Sequence, residues 1–379
     1  MRKALFSNAL MFLIVGLVVF GAVLGWGKAQ FDAPGPLAQA VCFTVPSGSN
    51  FRKVSEGLAE AGAIKTPWVF RIGVRNSGKS AELKAGTFLL RQGASMQDIT
   101  EELTTSGAAS CGAEIVLRVG VKRNDLQMRE TDPESGRMVT RAAYVLGDGE
   151  LPSEYSKLRA DNATEYRVTM AEGTTVWQVA EALKQAEFLS GDVGELPPEG
   201  MLAPDSYAVS AGGDRAALLA QMVAKQEERL AAAWAVRATD LPIETPEELL
   251  TLASIVEKET GVAEERGLVA GVFVNRMRQG IRLQTDPAVI YGITKGKEIL
   301  GRGLRVSELR ADTPYNTYVI KGLPPTPIAN PGKAAIEAAA NPESTDFLFF
   351  VANGTGGHAF AATLAEHNRN VAKWRAAGN

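Results

Sequence analysis

Residues Ala9 to Gly27 form an uncharged, largely apolar run of nineteen positions, with Arg2 and Lys3 before it and Lys28 after it. As a helix rising about 1.5 Å per residue, such a run reaches roughly 28 Å, close to one hydrocarbon core. A cleaved export signal is the competing reading. Its apolar core is normally about 7–15 residues and ends at small residues. The run here is longer, and Gly25-Trp26-Gly27-Lys28-Ala29-Gln30-Phe31 is a poor cleavage site. An uncleaved anchor is therefore expected at 9–27, with 1–8 as a cytoplasmic tail. Arg2 and Lys3 keep the N-terminus inside, and Trp26 suits the outer interface. Everything after Phe31 then folds outside the cytoplasmic membrane.

The remaining chain, of 379 residues in all, is long enough for two domains. A net charge of −3 gives no electrostatic footprint for nucleic acid, and none is expected as a partner. An uncharged glycan is compatible with it. Cys42 and Cys111 are the only cysteines. An oxidising compartment permits them to pair, and two separately buried thiols is the equally weighted alternative. Neither has metal-ligand spacing to a second thiol or a histidine, and His358 and His367 have none to another ligand. No metal and no cofactor are expected.

After the stem Asp32-Ala33-Pro34-Gly35-Pro36 a local pattern repeats. Phe43-Thr44-Val45-Pro46-Ser47-Gly48-Ser49-Asn50 reads as a strand, a Gly turn and a helix cap, followed by a short helix to Gly62. The pattern returns at Tyr166 to Thr175, leading into Val176 to Leu183, and more briefly at Phe88 to Ile99. Gly supplies unusual φ in such a turn and Ser or Thr caps the helix. Strand, turn and helix resemble LysM-like modules that bind N-acetylglucosamine-containing glycans; small packing units without a ligand are the plainer reading. Residues 107–165 form a β-rich insertion, with Ile115 to Val119 as a strand and Asp132-Pro133-Glu134-Ser135-Gly136-Arg137 as a hairpin tip. From Asp214 the pattern becomes one of long helices.

One of these helices carries the candidate chemistry. Thr245 is placed to cap it, Pro246 suits its first position, and Glu248 completes a capping box. The helix should run through Glu259-Thr260 and stop at Gly261. Leu249, Leu252, Ala253 and Val256 form its buried face, Lys258 points away from the core, and Glu257 and Glu259 lie on opposite flanks. Glu259 falls between Leu252 and Ile255, whereas Glu257 falls near Leu250, Ala253 and Ser254. A carboxyl wedged among large apolar side chains loses hydration and stays protonated, which favours Glu259 as an acid. An isolated Glu-Lys-Glu is more often two solvated carboxylates.

The surrounding residues weigh against that plainer reading. Ser254-Ile255-Val256-Glu257-Lys258-Glu259-Thr260 resembles the catalytic helix of the YceG-like family, the MltG endolytic murein transglycosylases. The resemblance continues through Phe273-Val274-Asn275-Arg276, Leu283-Gln284-Thr285-Asp286-Pro287, Val289-Ile290-Tyr291-Gly292 and Pro314-Tyr315-Asn316-Thr317-Tyr318. It extends over Gly322-Leu323-Pro324-Pro325, Ile328-Ala329-Asn330-Pro331-Gly332 and Phe349-Phe350-Val351-Ala352. It closes with Gly356-Gly357-His358-Ala359-Phe360 and His367-Asn368. A family signature appears as Glu199-Gly200-Met201-Leu202-Ala203-Pro204-Asp205-Ser206-Tyr207, with some positions changed.

The resemblance implies that the catalytic glutamate is Glu259. It implies non-hydrolytic cleavage between N-acetylmuramic acid and N-acetylglucosamine, leaving 1,6-anhydro ends and terminating growing strands. Gln284, Tyr315, Asn316 and Asn368 offer amide and phenol partners to sugars, and His358 joins them in a binding role. Tyr291 and Tyr318 are as readily core aromatics. Asp286 is expected at the substrate, and as a second carboxylate facing Glu259 it would instead give lysozyme-like hydrolysis. A glycan-binding scaffold without activity is the other alternative. Penicillin-binding synthases are expected partners by resemblance.

The resulting expectation is an α+β chain in the bacterial inner membrane with its catalytic domain in the periplasm. It comprises one transmembrane helix, a LysM-like region at 41–200 with its insertion, and a mainly helical, lysozyme-like catalytic domain at 201–379.

Overall fold

The structure, a computed structural model, describes residues 2–105, 111–161 and 163–377, so the first positions of the 107–165 insertion lie outside the described residues. Its first helix, α1 (Arg2–Asp32), overruns the apolar segment at both ends. Within it Ile14–Asp32 has a mean hydropathy of 1.6 and leaves Leu17, Val18, Phe20 and Leu24 exposed. By length and composition α1 is able to cross a membrane.

The chain divides into two compact units. The first comprises Met1–Glu114, Met128–Ala142 and Ser153–Glu165, and the second comprises Ile115–Gln127, Ala143–Pro152 and Tyr166–Asn379.

In the first unit β1 (Val41–Val45) leads through α2 (Phe51–Glu60) and α3 (Pro67–Asn76) to β2 (Gly86–Leu90), which returns antiparallel to β1. Phe43 stands opposite Phe88 in this pair. Gly48 takes a φ of 75° at the first turn, and Asn50 caps α2 by accepting from Arg52 N and Lys53 N, each at 3.1 Å. The following α4 (Met96–Thr104) starts with a reciprocal box in which Ser95 and Asp98 bond each other's backbone. Val54, Leu58, Phe70, Leu90, Ile99 and Leu103 meet in one core. Cys42 and Cys111 are joined in a disulfide, which settles the pairing left open above. The bond from Cys111 N to Thr87 O sets Cys111 beside the β1–β2 pair.

The insertion is a meander of β3 (Ala113–Val119), β4 (Asn124–Asp132) and β5 (Arg137–Val145), whose strands supply residues to both units, followed by α5 (Ser153–Ala160). Its tip is the predicted hairpin turn, with Gly136 at φ 66° and Asp132 Oδ1 accepting from Glu134 N.

In the second unit β6 (Glu165–Met170) joins the meander, α6 (Val176–Gln185) follows, and the short β7 (Leu189–Ser190) precedes β8 (Ser206–Val209). The sheet order is β5-β4-β3-β6-β8, with β8 antiparallel to β6. The two-residue strand β9 (Gly213–Asp214) pairs with β7 and opens into α7 (Arg215–Ala235), which Asp214 caps. There follow α8 (Pro246–Glu259), a 3-10 turn (Ala263–Glu265), α9 (Arg266–Arg278), α10 (Asp286–Thr294), α11 (Val306–Arg310) and α12 (Lys333–Ala340). The chain ends with the hairpin β10 (Phe349–Ala352) and β11 (His358–Ala361) and with α13 (Leu364–Ala376). Leu252, Ile255, Val256, Phe273, Leu283 and Ile336 build the core of this helical part around α8. The fold is mixed α+β, as expected.

Candidate active site

Every residue of α8 from Leu249 to Val256 is buried, so the helix is core on all faces rather than an amphipathic surface helix. Thr245 caps it, accepting from Glu248 N at 3.2 Å. Glu248 does not close the expected box. Its Oε2 instead accepts from Glu244 N at 2.6 Å, reaching one residue past the cap. The helix also ends early. Thr260 is extended and its Oγ1 accepts from Val262 N at 3.0 Å, which turns the chain before Gly261 is reached.

The last three residues of α8 are all partly buried, and they differ in what they touch. Burial raises the pKa of Glu257, and its Oε2 accepts from Gly332 N at 3.0 Å. Lys258 does not point to solvent as expected. Its Nζ donates to Gly173 O at 3.2 Å, and burial lowers its pKa against the pull of Glu257 and Glu199. Burial raises Glu259 as well, and the Asp286 charge adds to the rise. The Thr285 hydroxyl and the charges of His358 and Arg276 act the other way without reversing it. Thr285 Oγ1 is buried and, among the described residues, has no other partner than this carboxyl.

Three neighbours of Glu259 are themselves held. His358 opens β11; its backbone N donates to Glu265 Oε1 at 2.8 Å, and Nδ1 lies 2.7 Å from Glu265 Oε2. A Cβ at position 357 would collide with that carboxylate, which is why a glycine precedes His358. Arg276, only 8% exposed, donates from Nε to Leu348 O at 2.6 Å and from Nη1 to Arg282 O and Leu283 O at 3.1 and 2.8 Å. Those bonds draw the 282–284 segment and the start of β10 onto α9. Asp286 sits at the start of α10, with Tyr318 Oη donating to its Oδ1 at 2.7 Å. Burial and that carboxylate push the Tyr318 phenol well up.

The YceG-like family model matches residues 43–132 and 125–373. The chain belongs to the YceG-like family. A relative from Bacillus subtilis (strain 168), named endolytic murein transglycosylase, is 28% identical over 96% of this chain and 92% of its own length. One of the same name from Streptococcus pneumoniae serotype 2 is 29% identical over 87% of this chain, which spans 57% of that relative. A 2.6 Å crystal structure of a YceG-like protein from Listeria monocytogenes covers 87% of this chain and 98% of its own, at 23% identity and a TM-score of 0.44.

The other predicted site residues of this YceG-like chain fall into distinct settings. Gln284 takes φ 55°, rare for a residue with a Cβ, and its Oε1 lies 3.4 Å from Arg276 Nη1. Tyr315 bonds Thr326 Oγ1 at 2.7 Å and carries Lys295 over its ring at 4.4 Å. Asn316 is fully buried. Its Nδ2 donates to the carbonyls of Glu308, Leu309 and Ala311, and its Oδ1 accepts from Tyr318 N, so its amide is occupied in holding the loop that carries Tyr318. Asn368 is exposed on α13, while its neighbour His367 stacks on Phe349. Tyr291 packs against the core and donates to Glu199 Oε2 at 3.2 Å.

Sequence reasoning passed over Arg276, Glu265 and Glu199, although Arg276 and Glu199 stand inside quoted motifs. A lone basic or acidic residue has no periodic signature. The one available signal was an Arg that follows the apolar stretch Val272-Phe273-Val274 within a helix. The second strand–turn–helix copy also proves committed elsewhere. Gly173 N donates to Asn330 O, Thr174 O accepts from Asn330 N and Nδ2, and Thr175 Oγ1 donates to Gly296 O. That turn therefore braces the end of α8 through Lys258, and its capping hydroxyl and glycine are not presented to solvent.

Proposed function

We propose that this YceG-like protein is an endolytic lytic transglycosylase of peptidoglycan, with Glu259 as its one catalytic carboxyl. The observation that carries the reading is the contrast between two desolvated glutamates: Glu257 is tied to a backbone amide, Gly332 N, whereas Glu259, of the described residues, meets only the Thr285 hydroxyl and lies among the charges of Asp286, His358 and Arg276. A raised pKa keeps Glu259 protonated, ready to donate to the oxygen between N-acetylmuramic acid and N-acetylglucosamine. The C–O bond breaks and the leaving oxygen keeps that proton. Glu259, now a carboxylate, accepts the proton of the muramic C6 hydroxyl as that oxygen bonds C1, giving a 1,6-anhydro end. An attacking group already within the sugar gains from proximity, so no second carboxylate is required. Arg276 and His358 favour the carboxylate formed midway.

In this reading Gln284, Tyr315, His358 and Asn368 contact sugar, Asn316 positions Tyr318, and the β1–α2 module with its open Gly48 turn is the LysM-like glycan contact. The helical part is the lysozyme-like domain. The protein is a single-pass inner-membrane protein facing the periplasm, cutting nascent strands beside penicillin-binding synthases and so ending their growth.

The pull of Asp286 on Glu259 supports a second reading, hydrolysis with Asp286 as base or nucleophile. Digestion of purified peptidoglycan, with products resolved by mass, separates the two. Anhydro-ended internal fragments are expected; ends heavier by one water would replace this mechanism with hydrolysis. No products at all would leave a glycan-binding scaffold.

A further inference from the structure

The helix α3 is apolar on two sides. Val69, Phe70 and Val74 face the core of the first unit, while Trp68 and Ile72, four residues apart and on one face, are 45% and 48% exposed. A short helix that keeps large apolar side chains outside its core-facing stripe is suited to an apolar partner on that outer side. Among the described residues, the aromatic contacts on that side come from α1. Trp26 of α1 stacks on Trp68 with centroids 5.9 Å apart, and the Phe31 ring occupies the space a Cβ would take at Gly73. Between α1, α3 and α4 lies a cavity of about 560 Å³, with apolar walls from Val23, Leu24, Phe31, Trp68, Val69 and Ile72 and a polar side from Gln97 and Thr100. Its lining carries two lysines, Lys28 and Lys79, and two carboxylates, Asp32 and Glu101, so the cavity has no marked charge preference.

We infer that α3 is seated in the outer interface of the bilayer, with the acyl chain of a membrane phospholipid filling the α1–α3 cavity. This rests on the proposed membrane span of α1. The argument is continuity: Val23 and Leu24 belong to the apolar segment that spans, Trp26 stands at its end, and Trp68 shares its depth by stacking on it. Aromatic rings with one polar edge are well suited to that depth. The seat is apolar rather than electrostatic, so zwitterionic lipid suffices and added salt leaves it unchanged.

The full chain in phosphatidylcholine vesicles, with lipids brominated high on the acyl chain, tests this by tryptophan quenching. The wild type, Trp26→Phe and Trp68→Phe are compared. With two residues sharing the lipid-facing signal, each variant is expected to lose roughly half of the bromine-dependent quenching. If Trp26→Phe lowers it and Trp68→Phe leaves it at the wild-type level, α1 spans but α3 is not seated, and the inference falls. If neither variant changes it, the spanning reading itself fails and takes the inference with it. Quenching carried by Trp68 but only with anionic lipid would overturn the apolar seat.

Discussion

Glu265 grips His358 at two points, one carboxylate oxygen on the backbone N at 2.8 Å and the other against Nδ1 at 2.7 Å. Burial pushes the Glu265 carboxyl upward, but the bonds and charge of His358 outweigh it and leave Glu265 below its ordinary value. The Nδ1 contact fixes the ring so that Nε2 is the nitrogen left available. Glu265→Gln weakens both bonds and removes the charge. The expected loss is about 10–100-fold in kcat/KM, the equivalent of one charged hydrogen bond. Wild-type turnover by this variant would remove His358 from the mechanism.

Glu259 and Glu257 separate by substitution. Glu259→Gln should lower cleavage by at least about a hundredfold. Glu257→Gln keeps an acceptor for Gly332 N and should retain most activity. Full activity in Glu259→Gln would sink the assignment.

The two desolvated states also predict opposite pH trends for activity and for one variant's stability. Glu259 has a folded pKa raised above its ordinary value, so its neutral form is favoured, and that contribution is complete below about 4.5 and is lost as pH rises through the raised value. The rate should fall over the same rise, because the acid form disappears. Glu259→Gln cannot ionise, so its melting temperature should gain on the wild type as pH rises. A constant difference between pH 4 and 8 would contradict this.

Arg276→Lys abandons the guanidinium fork that serves Leu348 O, Arg282 O and Leu283 O. Buried acceptors left unmatched cost about 1–3 kcal/mol each, so a loss of at least about 2 kcal/mol in urea unfolding is expected. Activity should fall further than stability, since the 282–284 segment leads directly into Thr285 and Asp286. A stability change within error would show that the carbonyls find other partners.

The disulfide closes a loop with a sequence separation of 69. On loop entropy its removal in Cys42→Ala with Cys111→Ala should cost about 4 kcal/mol. Hydrogen exchange should show the loss in first-unit amides such as those of β1 and β2. Unchanged exchange there would mean that the core around Leu58 and Ile99 suffices alone.

Much of the architecture was legible from local signals. The apolar run, the Gly48 turn, the hairpin at Gly136, the change to helices at Asp214 and the Thr245 cap all depend on residues within a few positions of one another. Helix boundaries were less so: α8 stopped at Glu259 because Thr260 turned the chain with its own hydroxyl, a bond that spacing does not reveal. The disulfide was undecidable from two cysteines and needed the β1–β2 pair to bring them together.

The choice between the two glutamates shows where the sequence reaches its limit. By itself the sequence determined that α8 would form, that its end would carry Glu257, Lys258 and Glu259, and which family its motifs resemble. Helical periodicity assigns a side chain to a direction, and on that basis Glu257 was expected in a more polar setting and Lys258 in water. Burial proved common to all three residues. What distinguished them was Gly332 N on Glu257, Gly173 O on Lys258, and Thr285, Arg276 and His358 around Glu259. Those groups lie far from α8 in the chain, and only tertiary packing brings them within reach. Hydrogen bonds and charges act over a few ångströms of space, whatever their separation in sequence.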